Sequence, residues 1–169
     1  MNNSHKAATA SVYLALGTNL GNREANMIAA IKNIEKQIGT IVSQSAFYVS
    51  EPSGFESVNL FLNSVVRVET DLLPNELIDA TQQIELDMGR KEKSDLGEYT
   101  DRVIDIDILF YNEEVICNAP RLIVPHPRII ERSFVLKPLA EIAPSFVHPV
   151  VGKTVAELLA ELEGSGSKS

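Results

Sequence analysis

Residues 102–110 read RVIDIDILF, and their alternation decides how the rest of the chain is interpreted. A period of two predicts a strand with one apolar face, which we expect to be the core face and which comprises Ile104, Ile106, Ile108 and Phe110. Asp105 and Asp107 then share the opposite face. Aspartate is depleted in strands, and a carboxylate is seldom buried without a partner. The second face of this strand therefore requires a chemical explanation.

The N-terminal part of the chain predicts a strand, a turn and a helix. SVYLAL (11–16) is typical of a buried strand, and GTNLGN (17–22) of a tight turn. Apolar residues then recur at helical spacing, with Asn22 as the N-cap and Gly39 as the stop. The turn lacks the Gly-Lys-Ser/Thr ending of a phosphate-binding loop and the third glycine of a dinucleotide-binding fingerprint, so we interpret it as structural.

The middle of the chain predicts the remaining elements of one sheet. Two β-rich segments (40–50 and 59–69) precede a second helix, which begins at Pro74 and ends at Gly89. A polar loop leads from there to the strand of the two aspartates. The order β-α-β-β-α-β predicts an α+β, ferredoxin-like core with a mostly antiparallel sheet and helices packed on it.

The C-terminal part of the chain predicts additional helices on this core. RLIVPHPRIIERSFVLKPLAEIAP (121–144) combines a short strand, a proline-bounded loop and helical turns. TVAELLAELE (154–163) is a helix whose Thr154 and Glu157 form a capping box. No internal repeat or linker interrupts the chain. We therefore expect a flexible N-terminus at 1–10, a single domain at 11–163 and a flexible tail at 164–169.

Composition restricts the classes of function. The chain has 169 residues and a net charge of −8, so we expect neither nucleic acid nor an acidic membrane as a partner, because both require a basic face. The single cysteine, Cys117, suits a reducing cytoplasm and excludes an internal disulfide. No apolar run approaches the length of about 18 residues that predicts a membrane span.

The aspartate pair is the first candidate site. Two positions along a strand separate Cα atoms by about 6.5–7 Å, so Asp105 and Asp107 could converge on one cation or bind one each of a close pair. Hard oxygen ligands favour magnesium. Seven of the 15 basic residues lie at 90–132, and arginine suits phosphate oxygens, which magnesium usually bridges. The alternative is a solvated outer face with ordinary surface ion pairs.

Three further groups remain ambiguous on sequence grounds. Gln82 and Glu85 lie on one face of the second helix, which favours an ordinary solvated pair. Phe61 and Asn63 share a strand face that could bind a flat heterocycle or simply pack under a loop. His126 lies between two prolines and belongs to no evident triad.

The whole set of motifs resembles one family, the 6-hydroxymethyl-7,8-dihydropterin pyrophosphokinases of folate biosynthesis. The resemblance covers 12–162 and rests on DRVIDIDIL, LALGTNLGN, FLNSVV, TQQIELDMGR and VPHPRIIERSF in this order and spacing. It implies a ferredoxin-like fold and the transfer of pyrophosphate from ATP to the pterin hydroxymethyl group, with release of AMP. It also implies two Mg²⁺ ions, and we expect a cytoplasmic monomer.

The resemblance implies roles for individual residues. Asp105 and Asp107 would be the ligands of the two Mg²⁺ ions, one bridging the α- and β-phosphates and the other the β- and γ-phosphates. Arg90 and Arg102 would be loop arginines that reach the phosphates and, with the two aspartates, form the catalytic set. The nucleotide side would comprise, besides these arginines, Gln82, Glu85, Ile108, Arg121, Ile123, His126 and Arg132.

The implied pterin site has two aromatic walls. Phe61 and Phe134 would sandwich the ring, Asn63 would bond its edge, and Asp105 would lie beside it. A first loop would add Ser50, Pro52, Ser53 and Gly54. The chain departs from the family pattern just before Arg102, where Tyr99-Thr100-Asp101 replaces a Trp-Gly-Pro run, and also at Phe61, Ile123 and Pro127. We expect these departures to affect loop closure and adenine recognition rather than the reaction.

Two other functions fit the same residues. A magnesium-dependent phosphohydrolase would use the same carboxylates and release inorganic phosphate without a pterin. A ligand-sensing ferredoxin-like module would bind without turnover and would leave the aspartate pair without a purpose. An assay with ATP, Mg²⁺ and the reduced pterin separates the three functions.

Overall fold

The computed structural model describes residues 9–51, 60–89 and 103–166. Five predicted site residues lie outside these ranges: Pro52, Ser53, Gly54, Arg90 and Arg102. The positions 1–8 and 167–169 of the predicted flexible ends also lie outside them. No helix within the described ranges has both the length and the hydrophobicity that crossing a bilayer requires.

The described chain contains seven strands, four α-helices and one short 3₁₀ turn. The strands are Ala10–Thr18 (β1), Gly39–Gln44 (β2), Tyr48–Ser50 (β3), Phe61–Thr70 (β4), Asp105–Tyr111 (β5), Ile116–Asn118 (β6) and Leu122–Val124 (β7). The helices are Arg23–Gln37 (α1), Pro74–Asp87 (α2), Ser133–Ile142 (α3) and Val155–Gly166 (α4), and the 3₁₀ turn is Ile129–Glu131.

The main sheet confirms the predicted plan. Its strand order is β2-β4-β1-β5, all neighbours are antiparallel, and β3 pairs with β4 next to β2. Together with α1 and α2 this is the βαββαβ arrangement of ferredoxin-like folds. The strands β6 and β7 form a separate hairpin. The central strand β1 therefore lies between β4 and β5. Side chains of β1 thus have side chains of β4 on one side and side chains of β5 on the other.

Two hydrophobic cores lie on opposite faces of this sheet. One core joins the sheet to α1 and α2 and includes Ile104, Ile106 and Ile108 of the RVIDIDILF segment. The other joins the sheet to α3 and α4 and includes Tyr13, Val65, Leu109 and Phe110. Asp105 and Asp107 lie on the same face as the second core, opposite the isoleucines, as the alternation predicts.

The prediction that Phe110 faces the isoleucine core is wrong. The register passes from Leu14 opposite Ile108 to Tyr13 opposite Phe110, so Leu109 is an extra residue and forms a β-bulge. The bulge reverses the alternation, and the Phe110 ring packs in the second core, 4.5 Å from the Phe146 ring. The alternation of side chains between the two faces of β5 therefore follows a period of two only in the part of the strand before the bulge.

Most predicted element ends are confirmed. Asn22 caps α1 by accepting a hydrogen bond from Ala25 N at 3.0 Å, and Gly89 follows α2 with φ +117°. The predicted capping box of α4 is present, because Thr154 and Glu157 exchange hydrogen bonds. The helix α4 continues to Gly166 and β1 begins at Ala10, so both predicted limits of the domain, 11 and 163, lie inside regular structure.

Gly39 is required by its close approach to the neighbouring strand. It lies two residues after Gln37, the last residue of α1, but it has no positive φ, and a Cβ at this position would lie 2.1 Å from the carbonyl oxygen of Glu69 in β4. We expect Gly39→Ala to lower the free energy of unfolding by about 1–3 kcal/mol, the usual cost of overpacking. Urea denaturation measures this change.

The control for this prediction is Gly164→Ala in α4, where an added Cβ meets no atom within 4 Å. Alanine is favoured over glycine in helices by about 1 kcal/mol, so this variant should be as stable as the parent or more so. Equal stability of both variants would contradict the role assigned to Gly39.

Candidate active site

Small residues on the central strand create an opening on one face of the sheet. Gly17 of β1 is paired with Asn63 of β4 on one side and with Asp105 of β5 on the other. Two residues earlier, Ala15 is paired in the same way with Asp107. Because neither small residue fills the space between its neighbours, the amide of β4 and the carboxylates of β5 face a common gap.

This gap is the floor of a cavity of about 490 Å³, within the range of small-molecule sites. The helix α3 and the turn before it form its outer wall. The cavity brings together seven of the predicted site residues: Ser50, Phe61, Asn63, Asp105, Asp107, Arg132 and Phe134. Sequence reasoning did not predict the lining residues Ala15, Leu16, Gly17, Glu51, Ser64, Arg128, Glu131 and Val135. The alternation of small residues in LALG was the signal for Ala15 and Gly17.

The orientation of the Asn63 amide is fixed by β3. Asn63 is only 5 % exposed, and its Nδ2 donates to Tyr48 O at 3.1 Å and to Ser50 Oγ at 2.8 Å. Since these bonds use the two amide hydrogens, Oδ1 is the acceptor that faces the floor of the cavity. A Cβ on Gly17 would lie 3.4 Å from Oδ1. The cavity therefore presents a fixed acceptor beside two carboxylates.

Asp107 lies close to two nitrogen donors. Its Oδ2 is 3.8 Å from Arg132 Nη1 and 4.0 Å from His126 Nε2. The Arg132 guanidinium also lies 5.6 Å from the centre of the Phe134 ring, a cation–π distance. The arginine thus connects the carboxylate on the sheet to the aromatic ring on α3.

His126 is neutral at physiological pH. Burial, with the positive charges of Arg132 and Arg128, lowers the pKa of His126 to about 4. Its Nδ1 accepts a hydrogen bond from Arg128 N at 3.1 Å, so the proton of the neutral ring is on Nε2, the atom that faces Asp107. The contact with Asp107 is consequently not an ion pair, and the imidazole offers one N–H donor.

The donor chemistry of the cavity fits divalent cations held jointly with a polyphosphate. Within 9–51, 60–89 and 103–166 no three or more His, Cys, Asp and Glu side chains form a complete metal site. The described lining nevertheless contains four carboxylates (Glu51, Asp105, Asp107 and Glu131) and two guanidiniums (Arg128 and Arg132). A polyphosphate would be repelled by this excess of negative charge unless cations neutralised it. Mg²⁺ typically takes one or two carboxylates, phosphate oxygens and water, so the aspartate pair fits this ion.

The interpretation of Glu85 as a solvated side chain is wrong. Glu85 is 5 % exposed, and its Oε2 accepts a hydrogen bond of 2.8 Å from the backbone N of Ile106. Among the described residues the strand β5 is at the edge of the sheet, so outward-facing amides such as this one have no neighbouring described strand to accept them. Glu85 therefore holds the residue that lies between the two aspartates, whereas Gln82 is exposed as predicted.

We expect Glu85→Ala to destabilise the fold by about 1–3 kcal/mol, because the buried Ile106 amide loses its acceptor. Glu85→Gln retains an oxygen acceptor and should lose less than half as much. The free energy of unfolding in urea measures both changes. Gln82→Ala, three residues away on an exposed position, is the control and should remain within about 0.5 kcal/mol of the parent. Parental stability of Glu85→Ala would exclude this role.

The other residues predicted on the nucleotide side do not line the cavity and are grouped along the edge of β5. Arg121, in the turn between β6 and β7, pairs with Asp79 of α2. Ile123 is exposed on β7, and the side chain of Ile108 is buried in the first core. His126 donates its backbone N–H to Leu109 O at 3.0 Å, so it joins this edge to the cavity.

Comparison with known proteins identifies one family. The family model described as 7,8-dihydro-6-hydroxymethylpterin-pyrophosphokinase (HPPK) matches residues 13–144. The 2-amino-4-hydroxy-6-hydroxymethyldihydropteridine pyrophosphokinase of Porphyromonas gingivalis is 44 % identical over 140 residues, which cover 83 % of this chain and 95 % of the relative. The protein of the same name from Aquifex aeolicus is 41 % identical over 152 residues, covering 90 % of this chain and 92 % of the relative.

A solved structure gives the same fold. The crystal structure of wild-type Plasmodium falciparum HPPK-DHPS superposes with a TM-score of 0.78 at 18 % identity. The match covers 98 % of this chain and 47 % of the Plasmodium chain, so this chain corresponds to slightly less than half of that longer protein. At this level of identity the likeness supports the α+β architecture alone.

Proposed function

The chain belongs to the 7,8-dihydro-6-hydroxymethylpterin-pyrophosphokinase family, and we propose that the cavity on β1, β4 and β5 is its active site. The reaction is pyrophosphoryl transfer from ATP to hydroxymethyldihydropterin in folate biosynthesis. One observation carries the assignment of the site. The fixed Asn63 acceptor and the Asp105 carboxylate flank Gly17 in a cavity that Phe61 and Phe134 also line.

The pterin ring would lie over Gly17. Phe61 and Phe134 offer two aromatic surfaces, and Asn63 Oδ1 offers an acceptor for a ring N–H or amino group. A flat, nitrogen-rich heterocycle satisfies both requirements. Ser50 lines the same cavity, and Pro52, Ser53 and Gly54 remain proposed on the family resemblance.

The phosphates of ATP would lie on the aspartate side. Asp105 and Asp107 would hold two Mg²⁺ ions, which when bound supply the positive charge that a polyphosphate needs beside carboxylates. Arg132 and the Nε2–H of His126 are directed at the same place and would donate to phosphate oxygens. Arg90 and Arg102 are proposed to complete this set of donors.

The adenosine end of ATP would occupy the edge of β5. Gln82, Arg121 and Ile123 are exposed or partly exposed there, and Ile108 would contribute through its backbone because its side chain is buried. The ion pair of Arg121 with Asp79 is exposed, and such pairs contribute about 0–1 kcal/mol, so Arg121 can exchange Asp79 for a ligand at little cost. Glu85 would act by holding Ile106 in place.

The chemical step we propose is in-line attack of the pterin hydroxymethyl oxygen on the β-phosphorus, with AMP as the leaving group. Such transfers depend on alignment and on stabilisation of charge more than on covalent catalysis. The residues of this chain would bind the ring, align the hydroxymethyl oxygen and neutralise the phosphates. We propose, on the family resemblance, that a cytoplasmic monomer is the active form.

The test is an assay by mass spectrometry with ATP, Mg²⁺ and 6-hydroxymethyl-7,8-dihydropterin. We expect equal amounts of AMP and diphosphorylated pterin, loss of both on chelation of Mg²⁺, and recovery when Mg²⁺ is restored. Release of inorganic phosphate without a pterin would indicate a phosphohydrolase instead. Binding of both substrates without any product would indicate a sensing module.

A further inference from the structure

A carboxylate on α3 accepts hydrogen bonds from a residue just before β3 and from the first residue of β3. Glu141 accepts the backbone N–H of Ala46 at 3.0 Å (Oε1) and 3.3 Å (Oε2), and the hydroxyl of Tyr48 at 2.8 Å. The hydrogen bond to Glu141 is the main cause of the raised pKa of Tyr48. Because this pKa is raised, the hydroxyl stays protonated and can donate the hydrogen bond. These bonds join residues 93 and 95 positions apart in the chain.

Tyr48 also connects Glu141 to the proposed pterin site. It is paired with Asn63 in the sheet, and its backbone carbonyl accepts one of the two hydrogen bonds that orient the Asn63 amide. Ser50, two residues further along β3, accepts the other. The position of β3 therefore determines where the Asn63 acceptor is directed.

The helix α3 carries the opposite wall of the same site. Phe134 lies in its first turn and Glu141 lies near its end, seven residues later. Seven residues are about two turns, so both side chains lie on the same face of the helix. A shift of α3 along the sheet would move Phe134 relative to Asn63 and Phe61.

The remaining contacts of α3 define its position less strictly. Val135, Leu136 and Leu139 bury the helix in the second core, and hydrophobic contacts of this kind are not directional. Hydrogen bonds to a carboxylate are both directional and stronger than neutral ones. The contact of Glu141 with Ala46 and Tyr48 is thus a directional polar link that constrains the distance between the helix wall and β3.

We propose that Glu141 and Tyr48 are positioning residues that set the separation between the two walls of the pterin subsite. The proposal rests on the proposed function, because it presupposes that the pterin binds between Phe61 and Phe134. Neither residue lines the cavity within the described part of the chain, so neither would touch the substrate. Their effect should therefore appear in pterin affinity rather than in ATP affinity.

The experiment measures steady-state kinetics and thermal unfolding of Glu141→Ala, Glu141→Gln and Tyr48→Phe. We expect Glu141→Ala to raise KM for the pterin about tenfold, with kcat and KM for ATP changed less than about threefold. Tyr48→Phe should raise the pterin KM less, and Glu141→Gln, which keeps an acceptor, should lie between Glu141→Ala and the parent. The double variant Glu141→Ala with Tyr48→Phe should be no worse than Glu141→Ala alone, since both changes remove the same link.

The matched control is Glu76→Ala. The Glu76 carboxylate also accepts a backbone N–H, that of Leu73 at 2.8 Å, but at the start of α2 and outside the described cavity lining. It should lower thermal stability without changing the pterin KM. If Glu141→Ala behaves in the same way, the link only holds the fold and the positioning proposal is wrong. If Glu141→Ala does not fold, an unchanged pterin KM for Tyr48→Phe would overturn the proposal equally.

Phe134→Ala separates this proposal from the proposed function on which it rests. A raised pterin KM for Phe134→Ala together with an unchanged one for Glu141→Ala would refute the positioning role alone. An unchanged pterin KM for Phe134→Ala would refute the aromatic wall and the positioning role with it.

Discussion

Replacing Asp107 by asparagine is expected to reduce the rate of pyrophosphoryl transfer by about 10²–10³-fold, the cost of removing one electrostatic contact to a transition state. Asparagine keeps the size of the side chain and one oxygen but removes the negative charge that would hold Mg²⁺. Arg132 and His126 would also lose the carboxylate they approach at 3.8 and 4.0 Å. We expect the same loss for Asp105→Asn, because both carboxylates project from the same face of β5.

The fold should survive these two substitutions. Both aspartates are only partly buried and precede the bulge of β5, outside either core. The measurement is AMP formation at saturating ATP, pterin and Mg²⁺, with circular dichroism to verify folding. Asp71→Asn, the same chemical change where the carboxylate accepts a hydrogen bond from Thr9, is the control and should leave the rate unchanged. Near-parental AMP formation by a folded Asp107→Asn variant would rule out the two-metal proposal.

Adding a branched side chain at Gly17 is expected to abolish pterin binding, with a loss of affinity of about 100-fold or more. A Cβ alone at this position would lie 3.4 Å from Asn63 Oδ1 and 3.8 Å from Phe61 Cδ1, so the methyl groups of valine would occupy the floor of the cavity. A clash of this kind rejects a ligand without any loss of attractive contacts. Valine is favoured in strands, so Gly17→Val should fold.

Two measurements test this prediction. Equilibrium binding of the pterin in the presence of a non-reactive ATP analogue should be lost in Gly17→Val, and binding of the analogue alone should remain within about fivefold of the parent. Gly17→Ala, which adds only the Cβ, should show an intermediate loss. A parental pterin affinity for Gly17→Val would mean that the ring does not lie over β1.

The order of elements was predictable because it depends on local signals. Helical and strand periods, the Asn22 cap, the Pro74 start and the Gly89 stop are each encoded within a few residues. The bulge at Leu109 was not predictable in this way, since LFY carries the same apolar character with and without an extra residue. The orientation of Phe110 is decided by the register with β1 and by the space beside Phe146.

The features of the candidate site also differ in whether local sequence signals predict them or long-range packing decides them. The shared face of Asp105 and Asp107 follows from strand alternation alone. The inclusion of Phe61, Asn63, Arg132 and Phe134 in one cavity depends on long-range packing, and only the family resemblance predicted it. The burial of Glu85 was missed because the sequence of α2 does not reveal that an edge amide of β5 lies opposite it.

The extra residue at Leu109 also constrains how this family member can change over evolution. The strand β5 serves chemistry in its first half and packing in its second, and the bulge sets the phase between the two halves. Deleting Leu109 would leave Phe110 opposite Tyr13 and facing Phe146, because the pairs Leu14–Ile108 and Tyr13–Phe110 would then follow one another without a bulge. It would remove one side chain from the second core and none from the proposed active site. The segment between the second aspartate and the apolar end of β5 can accordingly differ in length by one residue among related chains, with the bulge either present or absent.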